Sequence, residues 1–119
     1  MKKATGPPLL LTSRRETAVQ LEFSNGSGKV IPPDSVDLFN ADEFKKALQS
    51  LYDQGCHTII VDCARLTIID STGLGTLILF QKKLQERGGE LKIINVNHDY
   101  IKRLFEMIEL GRLIKIEME

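Results

Sequence analysis

Apolar runs rich in β-branched residues alternate along this chain with segments whose apolar residues recur every three or four positions, and this alternation constrains the fold most. The runs occupy residues 58–61, 91–96 and 113–116, and the first, which is continuous, predicts a central strand covered on both faces. The periodic segments begin near Asn40, Ser71 and Asn97 and end at Gly55, Gly88 and Gly111, as capped helices do. The sequence therefore predicts an α/β fold, with a largely parallel sheet centre flanked by α-helices.

The N-terminal part of the chain predicts a leader and an antiparallel sheet edge. Residues 1–8 end in Gly-Pro-Pro and show no apolar period, which predicts a flexible leader. Residues 9–23 form two extended stretches that meet around residues 14–16, which predicts a hairpin at one edge of the sheet. A turn is predicted at residues 25–28, with a brief strand at 30–31. The predicted organisation is the leader followed by a single domain over residues 9–119.

The balance of charge limits the kinds of partner. The 119 residues include 16 Lys plus Arg and 16 Asp plus Glu, so no net field attracts nucleic acid or an anionic membrane surface. The apolar run at residues 9–11 is too short for a signal peptide or a membrane-spanning helix. These features predict a cytoplasmic protein that binds another protein, without direct contact to nucleic acid and without membrane insertion.

The cysteines and histidines form no metal-binding or redox pattern. Cys56 and Cys63 have a spacing that fits neither a zinc site nor a redox pair, and they are predicted to be free buried thiols. His57 and His98 also lack metal-ligand spacing. Residues 26–29, Gly-Ser-Gly-Lys, lack the first glycine and the final Ser or Thr of a P-loop. We therefore predict no catalytic residue, no metal and no cofactor.

Residues 68–77 hold the most informative polar cluster, because an apolar strand end passes there directly into a helix start. Gly73 and Gly75 lie in the first turns of the helix, where each costs about 1 kcal/mol relative to alanine, so a close approach is expected at both. Ser71 falls at or next to the N-cap, and its hydroxyl is expected at the rim beside unpaired backbone N–H groups. Simple capping by Asp70 and Ser71, with glycines for tight packing, explains the same residues without a binding role.

The run Asp70-Ser71-Thr72-Gly73-Leu74-Gly75, preceded by the strand at residues 58–62, resembles the signature of the STAS domain, the family that includes bacterial anti-sigma-factor antagonists. Residues 36–41 resemble the family's loop into its first helix, and residues 88–93 resemble its helix-to-strand return. The resemblance covers most of residues 36–116. It implies a mixed sheet, with an antiparallel edge, flanked by helices. The chain departs from the family at Asp34, where a glycine is usual, and after residue 116, where a further helix usually follows.

The resemblance also implies a phosphorylation site and a partner surface. Ser71 matches the family's phosphoacceptor, and Asp37 and Asp70 match positions that help to engage the kinase partner. The partner-binding set extends over the rest of the motif: Thr72, Gly73, Leu74 and Gly75. A helical projection places Leu79 nearly opposite the apolar side of its helix, either as a partner contact or as a lone surface leucine.

The function that the resemblance implies is that of a switch and not of an enzyme. An unphosphorylated antagonist binds an anti-sigma factor and frees a sigma factor, and a serine kinase ends the binding by phosphorylation. A serine phosphatase is expected to reverse the change. Two alternatives are a non-switching STAS subunit of a membrane transporter complex and a stressosome scaffold component. A nucleotide-binding sensor is a weaker idea, based on the phosphate affinity of helix starts.

Overall fold

The computed structural model describes residues 9–10 and 19–118. The strands are β1 (Leu9–Leu10), β2 (Gln20–Ser24), β3 (Ser27–Ile31), β4 (Ser35–Val36), β5 (Thr58–Asp62), β6 (Ile68–Ile69), β7 (Glu90–Val96) and β8 (Lys115–Met118). The helices are α1 (Ala41–Asp53), α2 (Ser71–Gln85) and α3 (Asp99–Met107), and a short 3₁₀ helix spans Leu110–Arg112. The predicted leader at residues 1–8 and the predicted hairpin turn around residues 14–16 lie outside the described residues.

Within the described residues, the main sheet has six strands in the order β1-β2-β3-β5-β7-β8. The strands β1, β2 and β3 pair in antiparallel fashion, whereas β3, β5, β7 and β8 pair in parallel. The predicted mixed sheet, with a parallel centre and an antiparallel edge, is therefore confirmed. A separate small sheet consists of β4 and β6 in parallel. Because β4 precedes α1 and β6 precedes α2, the small sheet brings two helix starts together.

The hydrophobic core lies between the helices and one face of the main sheet. In β5, Ile59 and Val61 are buried, whereas Thr58 and Ile60 are half-buried. The second face of β5 is therefore not fully covered, contrary to the prediction. The prediction failed because β-branched residues favour strands whether or not both faces are buried. The helices add further fully buried side chains to the core: Phe44, Leu48 and Leu51 from α1, Leu77, Phe80 and Leu84 from α2, and Ile101 and Phe105 from α3.

A two-residue turn at Asn25 and Gly26 joins β2 to β3. The two residues have φ values of 50° and 80°, and Ser24 pairs directly with Ser27. An Asn-Gly hairpin turn requires this backbone, with positive φ at both central residues. The predicted turn is therefore confirmed at Asn25 and Gly26, but it is shorter than predicted, because Ser27 and Gly28 already belong to β3.

The helix α3 begins one residue later than the sequence suggests. Its N-cap is His98, whose Nδ1 accepts a hydrogen bond from the Tyr100 N–H at 3.3 Å. The predicted cap, Asn97, lies one residue before it. His98, for which the sequence indicates no metal-binding role, thus caps a helix.

The helix α3 ends earlier than predicted. Glu109 adopts the left-handed conformation, with φ of 57°, and so separates α3 from the 3₁₀ helix. Gly111 lies inside the 3₁₀ helix and does not close α3, because the reversal of the chain occurs at Glu109. The last strand therefore begins at Lys115 and not at residue 113.

The two glycines of the first turns of α2 have different surroundings. A Cβ on Gly73 would lie 2.7 Å from Ile69 Cγ1 and 2.8 Å from Val36 Cγ1, and both of these side chains are buried. Gly73 thus allows α2 to pack directly on the small sheet. A Cβ on Gly75 would have no atom within 4 Å. The predicted close approach is therefore confirmed for Gly73 and is wrong for Gly75 within this chain.

Alanine at these two positions should change stability in opposite directions. At position 73, a gain of up to about 1 kcal/mol in helix propensity is outweighed by overpacking against Val36 and Ile69, which costs about 1–3 kcal/mol. We expect Gly73→Ala to lower the free energy of unfolding by about 1 kcal/mol. Gly75→Ala should raise it by up to about 1 kcal/mol, since the new methyl group meets no neighbour. Urea denaturation of both variants measures the difference, and equal gains would show that the small sheet leaves room at position 73.

Candidate functional site

The register of β4 with β6 places two aspartates side by side. Val36 pairs with Ile69 in parallel, so Asp37 and Asp70 follow at the same end of the small sheet. The Asp70 N–H donates to the Val36 carbonyl at 3.1 Å, which extends the pairing by one residue. The two positions that the family resemblance assigns to the kinase partner are thus neighbours in the structure.

Asp70 is the N-cap of α2. Its Oδ1 accepts hydrogen bonds from the Thr72 N–H at 3.0 Å and from the Gly73 N–H at 3.2 Å. These are two of the N–H groups that a helix start leaves without an intrahelical partner. The same oxygen accepts a hydrogen bond from the Thr72 hydroxyl at 2.5 Å. The capping interpretation of Asp70 is therefore confirmed, and three donors hold its carboxylate in place.

Ser71 is the first residue of α2, and it is exposed at the surface. The sequence predicts unpaired N–H groups beside it, but those of Thr72 and Gly73 already donate to Asp70. That prediction is wrong because the aspartate, and not the serine, caps the helix. A phosphate on Ser71 would therefore lie next to an occupied cap and would not be neutralised by these two N–H groups.

Hydrogen bonding favours the ionised form of Asp70. The Thr72 hydroxyl has the largest effect in lowering the pKa of the Asp70 carboxyl, against a smaller opposing effect of desolvation. The backbone N–H groups of Gly73, Thr72 and Leu38 lower this pKa further. Leu38 belongs to the loop that precedes α1. The carboxylate that caps α2 therefore lies close to the loop before α1.

The loop of residues 37–40 is fixed by its own hydrogen bonds. The Asp37 carboxylate accepts from the Phe39 N–H at 2.9 Å, and the Asp37 N–H donates to Asn40 Oδ1 at 2.9 Å. The Asn40 side-chain amide donates to the Ser35 carbonyl at 2.7 Å. Asn40 is the N-cap of α1, as predicted, but its side chain makes no capping hydrogen bond to the helix. Both polar side chains thus shape the loop beside Ser71.

The other predicted partner-binding residues differ in exposure. Thr72 and Gly75 are exposed, and Leu79 is 41% exposed further along α2. Leu74 is half-buried and packs against the core. Gly73 is buried against the small sheet, so it supports the surface from below and does not form part of it.

Sequence reasoning missed three exposed apolar side chains on the segments that lead into α1 and α2. Leu38 is 72% exposed, Phe39 is 94% exposed and Ile68 is 55% exposed. Periodicity does not mark these residues, because they lie in a loop and in a two-residue strand. The available signal is an apolar pair between Asp37 and Asn40, two residue types that favour turns.

Comparison with known proteins identifies the family. A model of the STAS domain matches residues 18–119, so the chain belongs to the STAS domain family, as the motif indicates. Over 81 residues, the chain is 32% identical to the anti-sigma-B factor antagonist of Staphylococcus aureus, a match that covers 68% of this chain and 74% of that protein.

Solved structures with the same fold include one protein in two chemical states. The anti-sigma factor antagonist SpoIIAA in its unphosphorylated form has a TM-score of 0.71 and 22% identity, with 83% of this chain and 87% of that chain covered. The Bacillus cell fate determinant SpoIIAA in the phosphorylated form has a TM-score of 0.66 and 20% identity, with 83% and 90% covered. At these identities the likeness shows the fold alone.

Within residues 9–10 and 19–118, none of the helices combines the length and the apolar character that a membrane span requires, and no group of three His, Cys, Asp or Glu residues is placed to hold a metal ion. Cys56 and Cys63 are free and buried, as predicted. Burial raises the pKa of the Cys63 thiol to about 12, so this thiol is unreactive in the folded chain.

Removal of the Thr72 hydroxyl should raise the pKa of Asp70. Thr72→Val keeps the shape of the side chain but removes the donor that lowers this pKa most. Because the pKa of Asp70 is lower in the folded than in the unfolded chain, the ionised carboxylate stabilises the fold above the unfolded-state pKa, and this contribution is lost as the pH falls through the folded-state pKa. The variant should therefore depend less on pH in that acid range. Carbon NMR titration of the Asp70 carboxyl measures the shift directly.

Thr76→Val provides the control for this titration. The Thr76 hydroxyl donates to the Thr72 carbonyl at 2.9 Å and makes no bond to Asp70, so its removal should leave the pKa of Asp70 unchanged. The same pKa in Thr72→Val as in the wild type would contradict the assignment of Thr72 as the main donor.

Proposed function

We propose that this chain is an anti-sigma-factor antagonist whose Ser71 is phosphorylated by a serine kinase that is also its anti-sigma-factor partner. The unphosphorylated chain binds the anti-sigma factor and frees a sigma factor for transcription, and phosphorylation releases the partner. The observation that carries the proposal is the exposure of Ser71 at the start of α2, beside the aspartates that the β4–β6 pair brings together. Membership of the STAS domain family and the likeness to an anti-sigma-B factor antagonist support it.

Phosphorylation of Ser71 would add charge to a surface that is already acidic. Asp70 precedes the serine, Asp37 lies across the small sheet, and the first turn of α1 contains Asp42 and Glu43. A phosphoserine adds about −1.5 to −2 charges. Because Asp70 occupies N–H groups at the start of α2, the new charge faces the partner. The cost of desolvating the phosphate at this contact then favours release.

In this proposal the chain is a substrate and not an enzyme. The γ-phosphoryl group of ATP passes to Ser71 Oγ, the hydroxyl proton passes to a base of the kinase, and ADP leaves. A serine phosphatase restores the hydroxyl by hydrolysis of the phosphate ester. The nucleotide, its magnesium ions and the transfer machinery belong to the kinase, and the cycle takes place in the cytoplasm.

The proposed partner surface extends from Ser71 along the exposed side of α2. Gly75 is part of it, because packing within the chain does not explain a glycine at a position where a Cβ meets no atom within 4 Å. Close approach of a partner at this point would explain it. Leu79, which is 41% exposed, continues the surface by one helical turn. Asp37, Asp70 and Thr72 complete the set, with Leu74 as its half-buried support.

Incubation with the anti-sigma-type serine kinase encoded near this gene, followed by mass spectrometry, should place one phosphate on Ser71. Ser71→Ala should abolish phosphorylation and retain partner binding. Ser71→Glu should weaken binding by at least about tenfold, since it places a charge in the contact surface. A phosphate on Thr72 or Thr76 in place of Ser71 would keep the pathway but overturn the site.

Ser24→Glu is a matched control for the charge. Ser24 is exposed at the hairpin end of β2, outside the segments that lead into α1 and α2, so the same substitution adds the same charge elsewhere on the surface. It should change the affinity by no more than about twofold, because exposed charges more than a Debye length apart are screened. Equal losses in both variants would show that net charge, and not the Ser71 site, controls binding.

A further inference from the structure

Leu38 and Phe39 form an exposed apolar pair, named here the Leu38–Phe39 pair. Phe39 is the most exposed large apolar side chain of the described residues, at 94%, and Leu38 is 72% exposed. Single exposed apolar residues are common on protein surfaces and need no explanation. Two consecutive ones, including an aromatic ring, present continuous apolar surface of the kind that is enriched in protein interfaces.

The backbone that presents this pair is ordered. The Asp37 carbonyl accepts hydrogen bonds from the Asn40 N–H at 3.1 Å and the Ala41 N–H at 2.8 Å, in addition to the side-chain bonds of Asp37 and Asn40 within the loop. The loop therefore has a defined conformation in the absence of a partner. A preorganised loop loses little conformational entropy on binding, so the apolar surface of the pair contributes more fully to affinity.

The Leu38–Phe39 pair is held close to Ser71. The Asp70 N–H donates to the carbonyl of Val36, two residues before Leu38, at 3.1 Å, and Asp70 caps the helix that Ser71 begins. The strands that lead to the two segments are neighbours in the small sheet, and paired strands lie about 5 Å apart. A protein large enough to cover Ser71 therefore also reaches the pair.

The charges around the pair indicate the chemistry of the surface that it contacts. The carboxylates nearest to it in the chain and in the small sheet are those of Asp37, Glu43 and Asp70, together with that of Asp42, which pairs with Lys46 at 3.2 Å. A complementary surface has an apolar pocket for the pair within a rim of basic side chains. Such a rim attracts a phosphate on Ser71, so release requires that the cost of desolvating the phosphate at the contact exceed this attraction.

We infer that the Leu38–Phe39 pair is the hydrophobic anchor for the same anti-sigma factor that phosphorylates Ser71, and that Phe39 inserts into an apolar pocket with a basic rim on that partner. The inference rests on the proposed function and divides the site into two parts. The anchor supplies affinity through apolar burial, which ionic strength hardly changes. Ser71 supplies control through charge.

The test compares the affinities of purified variants, in the unphosphorylated form, for the purified anti-sigma factor encoded near this gene. Phe39→Ser should weaken binding by at least about thirtyfold, as expected for an aromatic residue at the centre of an interface. Leu38→Ser should weaken it by about fivefold. Because the lost contact is apolar, the ratio of variant to wild-type affinity should be the same at low and at high salt.

Met107→Ser is the matched control. Met107 is 76% exposed, comparable to Leu38, but it lies at the C-terminal end of α3. It should change the affinity by no more than about twofold, since truncation of most surface residues outside the centre of an interface has little effect on binding. All three side chains are exposed, so the variants should melt at the wild-type temperature.

The outcomes separate this inference from the proposed function. The anchor would be overturned if Phe39→Ser bound as tightly as the wild type, or if Met107→Ser weakened binding as much as Phe39→Ser. Either result would leave the switch at Ser71 in place. A ratio of variant to wild-type affinity that rises toward one at high salt would also overturn it, because the contact would then be electrostatic. Failure of the wild-type chain to bind any anti-sigma factor of its own genome would overturn the proposed function, and the anchor with it.

Discussion

The Asp70 carboxylate is the interaction on which the site depends. It caps α2 by accepting hydrogen bonds from the N–H groups of Thr72 and Gly73 and from the Thr72 hydroxyl. The Asp70 backbone N–H donates to the Val36 carbonyl, so the small sheet holds the start of α2 beside the loop before α1 before any partner binds. An aspartate is ionised at neutral pH, and the hydrogen bonds lower the pKa of Asp70 further, so these bonds are charge-assisted.

Two kinds of residue meet at this surface, and their roles follow from burial. Gly73 is buried and lets α2 lie directly on Val36 and Ile69, so it determines where the helix begins relative to the small sheet. Ser71 and Phe39 are exposed and carry the properties that a partner can detect, a modifiable hydroxyl and an apolar ring. Some switches signal by a change of charge and not by a change of fold. Such a switch needs rigid buried packing and an exposed surface whose chemistry can change.

The helices, whose apolar residues recur over several turns, and the glycines that end them were predictable from the sequence. The helices α1 and α2 end where Gly55 and Gly88 take φ values of 87° and 83°, as the glycines indicate, and the parallel centre follows from the alternation of elements. The small sheet was not predictable, because two-residue strands carry no period. The exposure of Phe39 required the structure, whereas the cap by Asp70 is local and was among the interpretations that the sequence allowed.

In the proposed switch, phosphorylation of Ser71 acts on an unchanged scaffold, because the N–H groups that a phosphate would otherwise recruit already bind Asp70. Amide NMR spectra of the chain, stoichiometrically phosphorylated on Ser71 and compared with the unmodified chain, test this most directly. The account predicts shift changes confined to the loop before α1 and the first turns of α2, with Asp70 retaining its low pKa. Changes that spread into β5 and β7, or a pKa of Asp70 that returns to the ordinary range, would show that the phosphate displaces the cap and would contradict the account.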